Sequence, residues 1–349
     1  MNRHQPYDLK QMQSVPLEGK ILMTKERIRQ WYEHWEGQVY VSFSGGKNST
    51  VLKHIVDSMY DDVPALFVNT GLEHPEIQKF AMSQKNVVTI RPEMRFDEVL
   101  KRYGYPVVSK QVSRAVHFAR NAIVSGNEKS LYLNQLNGTA LDKQGRKSLY
   151  NKDRWRFLLE APFDTHSICC DVMKKRPFHQ YEKVTGRKPF IGTLTEESIA
   201  RRSEWIKNGC NAFDKRNPSS APLSFWTEQD NLHYIKQFNI PYCAAYGEIK
   251  IKPKDGQVEG QMNLIDYLGC YEPEDILETT GCDRTGCIFC MFGCHLEKEP
   301  NRFQRLKETY PRQYQYCIGG GEMVDGKWQP NKEGLGLGYV LDYIGVKYD

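Results

Sequence analysis

Val41-Ser42-Phe43-Ser44-Gly45-Gly46-Lys47-Asn48-Ser49-Thr50 is the stretch on which the fold turns. Val39 to Phe43 is β-rich, and Ser44-Gly45-Gly46 breaks it. Val51, Leu52, Ile55, Val56 and Met59 then recur at helical spacing. A strand therefore runs through two glycines into a helix. Glycine lets the backbone adopt positive φ and approach a ligand closely. The helix start offers free amides, and the positive end of its macrodipole favours an anion. Ser44, Lys47, Ser49 and Thr50 add side-chain donors, so the segment predicts a phosphate loop. It is not a Walker A loop, because Asn48 follows the lysine where that motif has Ser or Thr.

The flanking chain repeats the alternation. Thr24 is expected to cap a helix carrying Ile28, Trp31, Tyr32 and Trp35, with Gly37 as its stop. Val63 to Asn69 and Asn86 to Ile90 read as further strands. Ser109 to Ser125 and Val172 to Val184 read as helices. Lys188 to Gly192 reads as a strand, Glu196 to Lys207 as a helix, and Phe213 to Leu223, with Pro218 and Pro222, as a loop. Strands alternating with amphipathic helices predict an α/β fold with a parallel sheet. Periodicity weakens from about Gly247. The expected organisation is a nucleotide-binding domain over 20–246 and a smaller cysteine-rich module over 247–349.

The chain has 349 residues, 40% of them hydrophobic, which is enough for a sizeable core and excludes disorder as the main theme. Its net charge of +5 is unevenly spread. Residues 101–216 hold 23 Lys/Arg against 11 Asp/Glu, which leans toward an anionic partner such as nucleic acid. Within that stretch, Lys143 to Arg156 is basic, with Tyr150 and Trp155 interleaved. The uncharged run Thr285 to Leu296 is too short to cross a bilayer. The opening residues lack the apolar core of a secretory signal. A cytoplasmic location is expected, where the ten cysteines stay reduced.

Four of those cysteines fall in the pattern Cys282-x4-Cys287-x2-Cys290-x3-Cys294, with Gly281, Gly286 and Gly293 beside three of them. Thiolates at short spacing, with glycines to turn the chain, suit a compact metal site. Spacing admits either an iron–sulfur cluster or Zn2+. The adjacent pair Cys169-Cys170 does not suit a simple zinc-ribbon hairpin. Cys210, Cys243, Cys270 and Cys317 read as ordinary thiols.

Several ordered motifs carry a resemblance. The loop resembles the SGGxDS PP-loop of the adenine-nucleotide α-hydrolase-like superfamily. Phe67 to Glu76, with Thr70, Gly71 and Glu73, is similar to the second motif of the phosphoadenylylsulfate (PAPS) reductase family. Arg102 to Pro106 with Ser109-Lys110 resembles its next loop. Gly192-Thr193, Glu197-Ser198 and Arg201-Arg202 resemble its late Gly…Ser…Arg motif. Pro222-Leu223, Trp226-Thr227, Asp230 and Tyr234-Ile235 resemble its closing segment. The likeness spans roughly residues 20 to 245. It implies a Rossmann-like domain binding ATP with Mg2+ through Ser42, Ser44, Gly45, Gly46, Lys47, Asn48, Ser49, Thr50, Thr70, Gly71, Glu73, Gly192, Arg201 and Arg202. Asn48 stands where the superfamily usually has Asp, which keeps the hydrogen-bonding shape and loses a charge. In the iron–sulfur adenylylsulfate reductases, a Cys-Cys pair and a later Cys-x2-Cys hold a [4Fe–4S] cluster. The chain is also similar to the sulfur-inserting enzyme of DNA phosphorothioation. The ligands implied are Cys169 or Cys170 with Cys282, Cys287 and Cys290, leaving Cys294 beside the cluster. The local alternative is Cys282, Cys287, Cys290 and Cys294.

Three function classes follow. The first is an ATP-dependent sulfurtransferase. It would adenylate a DNA, tRNA or metabolite acceptor, with a cysteine desulfurase or another donor supplying sulfur. Lys47, Ser49 and Cys294 are its candidates for direct chemistry. The second is a reductase of adenylyl sulfate or its 3′-phosphate. That family usually carries a Glu-Cys-Gly-x-His tail, whereas this sequence closes on Tyr343-Ile344-Gly345-Val346-Lys347-Tyr348-Asp349. The third is a nucleic-acid-binding module with structural zinc.

Overall fold

The computed structural model describes residues 3–252 and 275–349, so Cys270 lies outside the described residues. The chain forms two compact units. One comprises Met1–Arg91 and Phe178–Thr285, the other Pro92–Pro177 and Gly286–Asp349. This division differs from the boundary expected at residue 247. The strands β7 (Ile249–Ile251) and β8 (Leu277–Thr279) pair antiparallel and stay with the first unit. The Gln229 side-chain amide fastens β8 there: its Nε2 donates to the Leu277 carbonyl at 2.9 Å, and its Oε1 accepts the Leu277 N–H at 2.8 Å.

The first unit is built on a six-stranded sheet. Its strands are β1 (Val39–Ser42), β2 (Ala65–Val68), β3 (Val87–Ile90), β4 (Lys188–Ile191), β5 (Asn211–Ala212) and β6 (Ser219–Ser220). The order is β3-β2-β1-β4-β6-β5, and only the β5–β6 pair is antiparallel. The central strands are short apolar runs, as a parallel sheet covered on both faces requires. Val39, Val41, Phe67 and Phe190 join Trp31, Ile55 and Trp226 in one buried core. Strands β5 and β6 have two residues each and lie in or beside the proline-bearing stretch read as a loop, so no periodicity betrayed them.

The helices of this unit are α1 (Pro6–Gln13), α2 (Leu17–His34), α3 (Lys47–Asp57), α4 (Pro75–Ser83), α8 (Arg176–Thr185, entering the unit at Phe178), α9 (Ile199–Asn208) and α10 (Glu228–Gln237). Thr24 corrects an expectation: it lies inside α2, not at its start. Its buried hydroxyl donates to the Pro222 carbonyl at 3.3 Å and accepts the Trp226 indole N–H at 2.9 Å. Tertiary partners, not a helix end, satisfy it. Gly37 does follow the end of α2, at φ +73°.

The second unit holds α5 (Phe96–Tyr103), α6 (Lys110–Val124), α7 (Leu131–Asn137), α11 (Arg302–Thr309), α12 (Pro311–Ile318) and α13 (Leu337–Tyr343). A hairpin, β9 (Glu322–Val324) and β10 (Lys327–Gln329), completes it. Ser109 caps α6 by accepting the Val112 N–H at 3.1 Å. From α6, Arg120 donates to the carbonyls of Leu158, Ala161 and Phe163 at 2.6–2.7 Å, tying the helix to the 158–163 segment. The expected helix over 172–184 begins as one π-helical turn, Asp171–Lys175, directly after the cysteine pair.

His117 and His166 meet edge to face in this unit, ring centroids 4.2 Å apart. Burial pushes both below the ordinary histidine value, and each lies near a cation or the other ring. Unfolding frees both to protonate at their ordinary value, so acidification favours the unfolded chain. Stability of the second unit is therefore full above about pH 6.5 and falls as the pH drops below it. Urea midpoints measured at neutral and mildly acid pH should show this decline, and His117→Asn with His166→Asn should flatten it.

Candidate functional site

The connections after β1, β2 and β4 all leave the same, carboxyl-terminal edge of the parallel sheet. Chain order changes direction at β1, whose neighbours are β2 and β4. Open α/β sheets bind ligands at that switch point. The predicted phosphate loop lies there.

The loop is held by its own hydroxyls. Gly45 sits at φ +71°, where a side chain would be strained and would meet Ile77 at 3.2 Å. Ser49 Oγ donates to the Gly46 carbonyl at 2.9 Å and accepts the Ser44 N–H at 3.2 Å. Ser44 Oγ lies 3.1 Å from Ser49 Oγ. Thr50 Oγ1 donates to the same Gly46 carbonyl at 3.0 Å. Ser49 and Thr50 are thus buried scaffold for the loop. From the neighbouring strand, Gly192 closes against it: a Cβ there would stand 2.9 Å from the Asn48 carbonyl oxygen and 3.0 Å from Ser49 Cα.

Lys47 opens α3 and is only 5% exposed. A buried ammonium needs a counter-charge. It pairs with the Glu228 carboxylate at the start of α10, and its Nζ lies 4.8 Å from the Tyr246 ring centroid. Tyr246 also accepts the Lys47 backbone N–H at 3.3 Å and exchanges a 2.7 Å hydrogen bond with Thr285 Oγ1. Burial pushes the phenol up to about 12, so it stays neutral. Both the amide and the ammonium that an anion would use are therefore engaged by a hydroxyl and a carboxylate.

Asn48 faces α10. Its Oδ1 accepts from Asn231 Nδ2 at 2.9 Å, and Asn231 is fully buried. An aspartate at 48 would keep that bond, so the amide here ties α3 to α10. After β2, Thr70, Gly71 and Glu73 form a self-capped turn. The Glu73 carboxylate accepts Thr70 Oγ1 at 2.7 Å and the Thr70 N–H at 3.1 Å. Arg201 pairs with Glu197 one turn back, and Arg202 is exposed on α9. Glu196 accepts the Glu228 N–H, and burial raises its carboxyl. Glu228, Tyr246, Thr285 and Asn231 escaped the sequence reading. Thr227 and Asp230 form a capping box that marks the start of α10, but nothing local shows that Glu228 faces Lys47.

The cysteines divide between the units. Cys282 is in the first, where its N–H and its thiol both reach the Ala245 carbonyl at 3.0 Å, within electrostatic reach of Lys47. Cys169, Cys170, Cys287, Cys290 and Cys294 are in the second. Cys169 and Cys170 hydrogen-bond to each other, and Cys287 and Cys290 act on Cys169 through space. That bond, aided by the Lys110 and Lys174 ammonium groups, holds Cys170 below the ordinary thiol range, while Cys169 is raised. Cys294 is buried and donates to the Met291 carbonyl at 3.0 Å. Burial pushes it up to about 11. Cys210, Cys243 and Cys317 are buried free thiols. Among the described residues, no three His, Cys, Asp or Glu side chains close to metal-ligand distance.

The model of the phosphoadenosine phosphosulfate reductase domain family matches residues 38–115 and 131–291. An 86-residue stretch is 31% identical to the uncharacterized protein MJ0973 of Methanocaldococcus jannaschii. It covers 23% of this chain and 21% of that protein, so the chain spans about a fifth of that relative's length. Two solved structures are similar at low identity. The phosphoadenylyl-sulfate reductase of Candida auris, in a phosphate complex, is 14% identical with a TM-score of 0.35, over 63% of this chain and 82% of that one. The FMN adenylyltransferase of Candida glabrata is 12% identical with a TM-score of 0.38, over 76% and 79%.

The tight approach at Gly192 gives a direct test. Gly192→Ala forces β4 away from the first turn of α3. It should lower stability by about 1–3 kcal/mol in urea unfolding. An unchanged midpoint would show that the loop is not braced by that strand.

Proposed function

Because the chain belongs to the phosphoadenosine phosphosulfate reductase domain family, we propose that it is an ATP-dependent sulfurtransferase of the PP-loop type. The observation that carries this reading is the loop between β1 and α3, with a buried lysine at the helix start, at the switch point of a parallel sheet. ATP phosphates would displace the Glu228 carboxylate from Lys47 and the Tyr246 hydroxyl from the Lys47 amide. One anion replaces another, so the buried ammonium keeps a partner throughout. Arg201 would add charge after exchanging its Glu197 contact.

An acceptor oxygen would then attack the α-phosphate. Pyrophosphate leaves, and the acceptor carries AMP. Lys47 and the loop amides stabilise the charge that develops on the phosphates. A sulfur nucleophile next displaces AMP from the acceptor. Mg2+ would accompany the nucleotide.

The second unit would hold a soft metal centre through Cys169, Cys170, Cys287 and Cys290. Two thiol pairs from distant chain segments, near enough to act on one another electrostatically, suit iron–sulfur or zinc chemistry once drawn together. Cys282 and Cys294 are left out of this set because each thiol donates to a backbone carbonyl. A [4Fe–4S] cluster, when bound, would supply electrons or a site for sulfur.

Lys47→Ala should weaken ATP binding at least about tenfold, since it removes a charged hydrogen-bond donor. Calorimetric titration checks this, and unchanged affinity overturns the loop's role. Wild type should release pyrophosphate only with a particular acceptor. Sulfite formed from adenylyl sulfate and thioredoxin would instead identify a reductase. Anaerobic purification should yield a brown protein with acid-labile sulfide, and Cys290→Ser should lose both. A colourless protein with stoichiometric zinc would replace iron–sulfur by zinc.

A further inference from the structure

A cavity of about 260 Å3 opens in the second unit between the first turn of α6 and residues 149–155. Ser109, Gln111, Tyr150, Lys152, Arg154 and Trp155 line it, and Asp153 is the acidic member of its wall. Its character differs from that of an apolar ligand pocket.

One wall is the amino-terminal turn of a 15-residue helix, where the macrodipole favours an anion. Opposite it stand two cations with no carboxylate within ion-pair distance among the described residues, Lys152 and Arg154. Lys152 Nζ donates to the Tyr150 carbonyl at 2.6 Å and to Gln135 Oε1 at 3.4 Å. The Arg154 guanidinium lies 5.1 Å from the Trp155 ring centroid. His295 braces that ring edge-on at 5.2 Å. At the mouth, Tyr150 is 66% exposed and Leu149 fully so.

We propose that this cavity receives one nucleotide of a single-stranded nucleic acid. The phosphate sits between the start of α6 and Arg154, and the base stacks on Tyr150. A polymer fits better than a free nucleotide for two reasons. The stacking ring stands at the open mouth, whereas small-molecule sites enclose their ligand. The cations also continue beyond the cavity: residues 143–156 carry six Lys/Arg and one Asp. Lys143 and Lys147 stand on a turn closed by the antiparallel bridge between Leu141 and Lys147, where Arg146 is paired with Asp142 at 2.9 Å. A groove of cations with an aromatic platform is how proteins follow a single strand. A duplex offers no free base face to Tyr150. That this strand is also the acceptor rests on the sulfur-transfer reading; its binding to the cavity does not.

The test uses the full chain and fluorescence anisotropy with labelled oligothymidylate and oligouridylate. A duplex and adenosine 3′,5′-bisphosphate serve as competitors. Tyr150→Ala should weaken strand binding at least about fivefold, the scale of one lost base stack. Tyr150→Phe should restore it. Arg154→Ala should weaken binding and reduce the salt slope by about one. Lys183→Ala, exposed on α8, should change nothing. Absence of strand binding overturns the proposal. So does strand binding indifferent to both alanine substitutions, preference for the duplex, or occupancy by the bisphosphate alone. If Lys47→Ala binds the strand normally while wild type releases no pyrophosphate with any acceptor, the cavity stands and the reaction falls.

Discussion

The first unit depends on one close approach. The backbone of Gly192, just past β4, lies against the first turn of α3, leaving no room for a β-carbon. That approach is possible only because β1 and β4 run parallel and adjacent, from Val39 beside Lys188 to Ser42 beside Ile191. It brings the connections after two strands to one point. With Gly192 packed against the Asn48 carbonyl and the Asn48 side chain bonded to Asn231, the helix start is held from two sides. Glycine is thus required twice for different reasons. At 45 it supplies a positive φ; at 192 it supplies space.

The electrostatics of the loop follow from that packing. Lys47 is drawn under α10 and Tyr246, and its ammonium loses most of its water. A cation so placed would be expensive if left alone, yet the burial makes each charge–charge contact stronger. Glu228 balances it. A parallel case stands nearby, where Lys20 is 3% exposed and pairs with Asp230 at 2.7 Å. The two pairs differ in access. Asp230 is also the capping carboxylate of α10, accepting the Thr227 N–H and hydroxyl, so it cannot leave without uncapping the helix. Among the described residues the Glu228 carboxylate caps no helix, and it is 40% exposed. The Lys47 pair is therefore the more exchangeable of the two, whereas the Lys20 pair is built to stay.

The sequence made the parallel core legible because its strands are short apolar runs between glycines and amphipathic helices. Val39–Ser42, Ala65–Val68, Val87–Ile90 and Lys188–Ile191 all fall within the expected segments. Ser109 and Ser125 bound α6 as read. What stayed hidden was set by long-range contact. Thr24 looked like a cap because a buried hydroxyl and a capping hydroxyl are the same residue type. Glu228 and Tyr246 reach Lys47 from 181 and 199 residues away, beyond any local pattern. β8 pairs back to β7, so the chain's change of unit comes after the boundary read at 247.

The cysteines show why spacing is a weaker guide than hydrogen bonding. By spacing alone, Cys282, Cys287, Cys290 and Cys294 form one set. Their thiols do not behave alike. Those of Cys282 and Cys294 each have a carbonyl to donate to, and burial raises both above the ordinary value. A thiol that is protonated and already bonded must give up that proton and that bond before it can ligate a metal. Cys170 is in the opposite condition, since its partner thiol and two ammonium groups favour the thiolate. The Cys287–Cys290 turn, closed by the Cys290 N–H on the Cys287 carbonyl at 3.1 Å, acts on Cys169 in the same unit. Cys169, raised by the same bond that lowers Cys170, is protonated like Cys282 and Cys294, so the divide in thiol acidity runs through the adjacent pair itself.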